Sequence, residues 1–263
     1  MLLSVSSNAI YEMEPEIQNL DDKFVNKSSK WLLRKSAGCG YLKERMRIVI
    51  TGGPSSEPID QVRVITNRST GELAVKLARR ATASGHKVEL LLGQGAIFRS
   101  DSAKYFWTNE DLYRLLCEVD ERDQVNAVFH AAALSDFGVA KLDIAGEQPG
   151  AAKLPSDAES IQLRLVPKPK LILQLRELFS NAYIVGWKFE LDGRPEDVVR
   201  RGIEQVGLNR TNASVINGAA FGPGFGFCTR NGLVHTAATR DELADWLVEM
   251  LDSGALACTP HKS

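Results

Sequence analysis

The sequence predicts an α/β fold in which helices cover both faces of a doubly wound, largely parallel sheet. Three observations lead there. From Met46 onward, short β-favouring runs alternate with amphipathic helical stretches. Two of those stretches open on prolines, Pro169 and Pro195, placed as first-turn residues. The first apolar run ends at Gly52-Gly53, where chains of this class turn toward a ligand crevice.

Each element has its own signal. The strands are Arg47 to Thr51, Lys87 to Leu92, Asn126 to Ala132, Ala182 to Gly186 and Ala213 to Asn217, each apolar and flanked by turn residues. A helix over Gly71 to Ser84 is marked by Leu73, Val75, Leu77 and Ala78. Another over Asn109 to Asp120 puts Leu112, Leu115, Leu116 and Val119 on one face. Helices follow in "KLILQLREL" after Pro169 and "EDVVRRGIEQV" after Pro195, and in the last Thr239 and Glu242 are spaced as a capping box. Residues 1–45 are mixed in charge and show no period, so a weakly ordered extension is expected before a domain over 46–252 and a tail over 253–263.

Composition removes several classes of function. Of the 263 residues, 44% are hydrophobic and 25% charged, enough for one sizeable core. With 32 Lys+Arg against 33 Asp+Glu, no electrostatic case exists for nucleic acid or an anionic membrane as partner. No stretch is apolar for long enough to span a bilayer. Cys39, Cys117, Cys228 and Cys258 are far apart and form no metal motif, which suits a reducing cytoplasm; the N-terminus lacks the pattern of a secretory signal.

In a doubly wound sheet the carboxyl ends of the strands carry the ligand. Three such ends stand out: the long loop from Gly52 to Gly71, "HAAALSDF" at His130 to Phe137, and "VGWKFE" at Val185 to Glu190. Ala131, Ala132 and Ala133 leave room for a planar ligand beside the backbone, with Asp136 just beyond; tight helix packing and a turn cap explain them equally. Ser69, Thr70 and Gly71 open a helix whose N-terminus can hold a phosphate, or they simply cap it. Asn67 lies in a loop longer than the connection needs, and its amide both donates and accepts. His86, His130 and His235 are scattered singly and read as packing or surface residues.

At these residues a resemblance emerges. "TGGPSSEPIDQVRVITNRSTG", "AAALSDF", "AAKLPS" with "LVPKPKLIL", "VGWKFELD" and "NASVINGAAF" resemble, in that order, the blocks of phosphopantothenate-cysteine ligase, also called phosphopantothenoylcysteine synthetase. The likeness runs from about Met46 to about Leu251, and its first block is the most specific. No flavin-dependent decarboxylase segment precedes it, so the stand-alone form is expected, without flavin.

The resemblance implies a Rossmann-like, cytoplasmic, homodimeric enzyme of coenzyme A biosynthesis. In such enzymes 4'-phosphopantothenate attacks the α-phosphate of CTP or ATP with Mg²⁺ present, pyrophosphate leaves, and L-cysteine displaces the nucleotide from the acyl-nucleotidylate. It implies catalytic roles for Asn67, Arg63 and Lys153, the last on a closing loop whose alignment could slip to Lys141. It implies nucleotide contacts from Gly52, Gly53, Ala131, Ala132 and Asp136, from Pro169, Lys170, Leu171 and Ile172, and from Trp187 and Lys188. Ser69, Thr70 and Gly71 fall where substrate phosphate is held. "FGPGFGF", Phe221 to Phe227, resembles a mobile segment of the family, a simple Gly-rich turn being the other reading. Two lysines of the fused, CTP-using members fall on Gln205 and Asn209, which leaves CTP and ATP both open.

Rival readings fit less well. A short-chain oxidoreductase lacks its Tyr-x-x-x-Lys, and a P-loop lacks G-x-x-x-x-G-K-[ST]. A catalytically silent, nucleotide-binding paralogue acting as a regulatory or partner subunit is the remaining alternative; intact Asn67 and Lys153 speak against it.

Overall fold

Alternation of buried residues fixes the layers. The computed structural model describes residues 45–144 and 160–254, without the side chains of 141–144. Its first strand, β1 (Arg47–Gly52), sends Ile48 and Ile50 to one side and Val49 to the other, all at most 1% exposed. A strand buried on both faces belongs to the middle of a sheet covered by two helical layers.

The chain continues through a small antiparallel ribbon, β2 (Ser56–Pro58) and β3 (Val64–Thr66), then helix α1 (Glu72–Ala83), β4 (Lys87–Gly93), β5 (Ala103–Phe106) and α2 (Asn109–Cys117). It returns as β6 (Ala127–His130), extends an antiparallel arm of β7 (Phe137–Ile144) and β8 (Ile161–Pro167), and makes a short α3 (Leu175–Leu178). β9 (Tyr183–Phe189), α4 (Pro195–Leu208), β10 (Ala213–Asn217), β11 (Phe225–Thr229), β12 (Gly232–Ala237) and α5 (Arg240–Asp252) complete it.

Eight of these strands form one sheet in the order β12-β11-β10-β9-β6-β1-β4-β5. The six from β10 to β5 are parallel, and β11 and β12 add an antiparallel edge. The chain first builds outward from β1 to β4 and β5, then crosses to β6 on the other side. This reversal is a topological switch point, and it leaves a crevice at the carboxyl ends of β1 and β6. One face is packed by α1 and α5 against Ile50, Phe129 and Val185; α2 and α3 cover the other through Leu112, Leu116 and Leu175.

Two sequence expectations are corrected. The helix expected directly after Pro169 is a 3₁₀ turn at Leu171–Leu173 followed by the four residues of α3. Both ends of that stretch are already committed, because Lys168 N–H donates to Asp136 O and the Phe179 to Ala182 turn leads into β9. The tighter turn takes up the difference while Leu171, Leu175 and Phe179 stay buried. In "FGPGFGF", Phe225 to Phe227 belong to β11, paired with β10, because Phe225 and Phe227 alternate into the core.

The long loop also holds more order than its composition suggests. Besides the β2–β3 ribbon, its first residues prolong β1: Ser55 N–H donates to Ala133 O, and Ala133 N–H to Gly53 O. Gly52 has no alternative residue, since a Cβ there would lie 2.2 Å from the Ala74 Cβ on α1. Gly71, immediately before α1, has φ 75°, a left-handed conformation that glycine adopts without steric cost.

A candidate nucleotide crevice at the switch point

The strand ends, the Lys168–Ile172 turn and α4 enclose a crevice of about 510 Å³. Of the expected nucleotide contacts, Ala132, Asp136, Pro169, Lys170, Leu171, Ile172, Trp187 and Lys188 line it. Gly52 and Gly53 are not among its lining residues; Gly52 packs against Ala74 of α1, and Gly53 turns beside Gly93 and Ala96. Ala131 follows the last residue of β6, with its N–H donated to Thr51 O.

The inner wall is uncharged. His130 is 6% exposed, its Nδ1 lies 2.8 Å from Thr51 Oγ1, and burial pushes its pKa down to about 4, so the ring is neutral at neutral pH. Asn109, 7% exposed, donates from Nδ2 to Ser135 O at 2.9 Å. Leu134, Leu171 and Ile172 complete the wall.

Toward α4 the crevice becomes ionic. Glu190 pairs with Lys188 at 2.9 Å and Arg201 at 2.6 Å. Its hydrogen bond with Lys188 is the main reason that its carboxyl is held below the usual range. Gln205 donates to Trp187 O at 3.3 Å and accepts from Ser214 Oγ at 3.1 Å, so it is fixed between α4 and the sheet. Asn209 also lines the crevice, and neither position carries a charge. The Trp187 ring itself packs against the core on the opposite face, so its main chain is what Gln205 meets.

Lys168 anchors the outer side. It pairs with both oxygens of buried Glu57, at 2.8 and 2.7 Å, and with Glu110 at 2.8 Å. Burial pulls its pKa down, but the hydrogen bonds to Glu110 and Glu57 outweigh burial and raise it.

Of the expected catalytic residues of the long loop, Asn67 is tied to the crevice wall, while Arg63 is not among the lining residues. Asn67 Nδ2 donates to Ala133 O at 3.2 Å and Leu134 O at 2.8 Å, which ties the loop directly to the crevice wall. Arg63 lies at the turn of the β2–β3 ribbon, 2.7 Å from Asp60. Thr70 Oγ1 accepts from Glu72 N–H at 3.3 Å, a local cap, and Ser69, Thr70 and Gly71 stand outside the crevice lining. Lys153 lies outside the described residues, and Lys141 lies on β7 with its side chain not described.

Sequence reasoning missed Asn109, Lys168 and Glu204, noted Arg201 only as a cation near Gln205 and Asn209, and read His130 as a packing or surface residue. His130 alone had a usable signal: it occupies the last position of a strand whose end is expected to meet ligand. The others converge only through tertiary packing.

Comparisons with known proteins agree with this architecture. The model of the DNA/pantothenate metabolism flavoprotein C-terminal domain matches residues 43–246. The chain is 28% identical over 211 residues to the coenzyme A biosynthesis bifunctional protein CoaBC of Methanocaldococcus jannaschii, covering 79% of this chain and 49% of that protein. It is 30% identical over 185 residues to the same-named protein of Thermococcus kodakarensis, covering 68% and 43%. The chain thus spans about half the length of these curated relatives or less. A solved DNA/pantothenate metabolism flavoprotein from Streptococcus pneumoniae shares the fold with a TM-score of 0.70 at 24% identity, covering 79% of this chain and 99% of its own. A C-terminal domain of CoaBC does so with a TM-score of 0.62 at 20% identity, covering 80% and 95%. With its fold, its crevice and a family match over most of its length, the chain belongs to the DNA/pantothenate metabolism flavoprotein C-terminal domain family.

Proposed function

We propose that the chain is a phosphopantothenate-cysteine ligase, which forms an acyl-nucleotidylate from 4'-phosphopantothenate and CTP or ATP and passes the acyl group to L-cysteine. The observation that carries this reading is the bond from Asn67 to the crevice wall, which puts an amide of the long loop beside a cavity of nucleotide size. Both Asn67 amide hydrogens are engaged by carbonyl oxygens; the acyl oxygen takes the place of the longer contact, at Ala133, as charge develops on it. Family membership supports the same chemistry, and a solved Cab2 variant with a similar fold was crystallised with phosphopantothenate-cysteine.

Mg²⁺ fits this donor set. Among the described residues no group of three or more His, Cys, Asp or Glu side chains converges, and Asp136 and Glu204 are the two carboxylates lining the crevice. Such a site suits an ion held mainly by phosphate oxygens and water, which would neutralise the triphosphate. Lys170, Lys188 and Arg201 supply the protein's own positive charge there.

A homodimer is part of the proposal. One face of β8 leaves Ile161, Leu163 and Leu165 exposed at 40%, 37% and 44%, and Phe137 is 50% exposed at the base of the arm. A two-stranded ribbon with an apolar face is marginal alone in water, and the same arm of a second copy covers it by symmetry. No helix among the described residues is long and apolar enough to cross a membrane, and a cytoplasmic setting suits the proposed substrates.

The test is pyrophosphate release with Mg²⁺, 4'-phosphopantothenate and L-cysteine, run with CTP and with ATP and with each substrate omitted in turn. Release that needs both phosphopantothenate and nucleotide, with amide product only when cysteine is added, is the expected result. Nucleotide binding without release would instead favour a silent paralogue.

A further inference from the structure

Ser55 is 0% exposed, and its three polar groups each engage a different stretch of chain. Its N–H donates to Ala133 O at 3.2 Å, in the wall that follows β6. Its Oγ accepts from Ser135 N–H at 2.9 Å, two residues further along that wall. Its carbonyl oxygen accepts from Thr66 Oγ1 at 2.7 Å, at the end of β3. A buried residue whose polar groups are all engaged in this way fixes those stretches relative to one another.

The Asn67 contact has its two ends on the same stretches. The carbonyls that receive its amide belong to Ala133 and Leu134, and Ser55 holds the wall on both sides of Leu134. The amide itself projects from the residue after Thr66, whose hydroxyl rests on Ser55. Ser135 is held through its carbonyl as well, by Asn109 Nδ2 at 2.9 Å. Ala133 O receives two hydrogens at 3.2 Å, one from Asn67 and one from Ser55 N–H. When an acyl oxygen draws the Asn67 hydrogen away, the Ser55 hydrogen stays, so Ala133 O keeps a donor and the release costs little.

We infer that Ser55 is a positioning residue for Asn67: it fixes the carbonyls that receive the amide, fixes through Thr66 the backbone that carries it, and keeps Ala133 O satisfied when the amide turns to the acyl group. This rests on the role proposed above for Asn67. Ser55 is buried and is not among the crevice lining, so it acts only through where the amide points. A donor aimed in advance needs no reorganisation as charge develops on the acyl oxygen.

Nuclear magnetic resonance of the full chain without substrate tests it through the Asn67 side-chain amide, whose signals Asn67→Asp identifies by removing them. Thr66→Val takes only the hydroxyl from an exposed, β-branched strand position, and its result stands even if Ser55→Ala fails to fold. We expect the Asn67 signals to move toward those of a solvated asparagine in both variants and to keep their place in Thr66→Ser. In Ser55→Ala, hydrogen exchange at Ser135 N–H should quicken by at least about tenfold, because it loses its acceptor. Thr66→Val should lower kcat for amide formation by about tenfold or more while KM for nucleotide stays within about twofold, and Thr66→Ser should restore kcat. Asn67 signals that do not move in Thr66→Val overturn the inference. So does a loss of turnover that Thr66→Ser shares or that appears equally in KM, since a loosened fold rather than a misplaced amide produces it. The signals are read without substrate, so an absence of amide formation by the unaltered chain would defeat the ligase reading and still leave this one decided by the amide of Asn67.

Discussion

Asn67 donates a hydrogen bond to the main-chain carbonyl of Leu134 at 2.8 Å across 67 residues of sequence. This contact joins the two loops that flank the switch point, one following β1 and the other following β6. Any force on the amide of Asn67 is thus felt at the crevice wall, and a ligand that alters the wall re-aims Asn67.

Asn67→Asp removes both donors and sets a carboxylate against two carbonyl oxygens. Because the side chain is exposed, we expect a stability loss of about 1 kcal/mol or less, read from urea denaturation. Amide formation should fall by at least about 100-fold, the usual scale for removal of a donor from a developing oxyanion. Retention of normal amide formation would remove Asn67 from the chemistry and leave it a loop tether.

His130 gives a pH dependence with a definite sign. Its folded-state pKa is depressed from 6.5 to about 4 by burial, so the unfolded chain binds more protons between those values. The stabilising contribution is therefore complete above about pH 6.5 and is lost progressively as pH falls to about 4, by roughly 3 kcal/mol in total. In His130→Gln, which keeps a polar group near Thr51, the fall in unfolding free energy between pH 7 and pH 4 should be smaller by about that amount. Parallel curves for the two proteins would show that His130 titrates normally.

The contrast between Asn67 and His130 also shows what was legible in the sequence. Periodicity revealed five of the six parallel strands, though not the short edge strand β5, and the faces of α1 and α2, because each buries an apolar pattern of its own. The β7–β8 arm was not visible: Ile161, Leu163 and Leu165 alternate like a half-buried strand, but they face outward in this chain. In the site, the strand-end rule led to Ala132, Asp136 and Lys188. Asn109 looked like a helix-start residue and Lys168 like a loop lysine, since their partners Ser135 and Glu57 lie 26 and 111 positions away in the sequence and meet them only on folding.

The Lys168 to Glu57 pair makes a separate prediction about stability. Glu57 is 4% exposed and rests both carboxylate oxygens on Lys168, so Lys168→Met leaves a buried charge uncompensated. We expect a loss of about 3–5 kcal/mol. Adding Glu57→Gln should recover much of it, because the remaining neutral pair no longer carries a stranded charge. Equal denaturation midpoints for Lys168→Met and the unaltered chain would mean that Glu57 is solvated in solution.

The proposed dimer depends on the β7–β8 arm. Leu163 lies at the middle of the exposed apolar face of β8, flanked by Ile161 and Leu165, and pairs across the arm with Leu142. A glutamate there points a charge into any surface formed with a second copy, yet it remains solvated in an isolated protomer. Leu163→Glu should therefore convert a dimer to a monomer in sedimentation velocity, while the unfolding transition of the separated protomer changes by about 1 kcal/mol or less. A monomeric unaltered protein would refute the dimer, and a dimeric variant would move its interface away from β8.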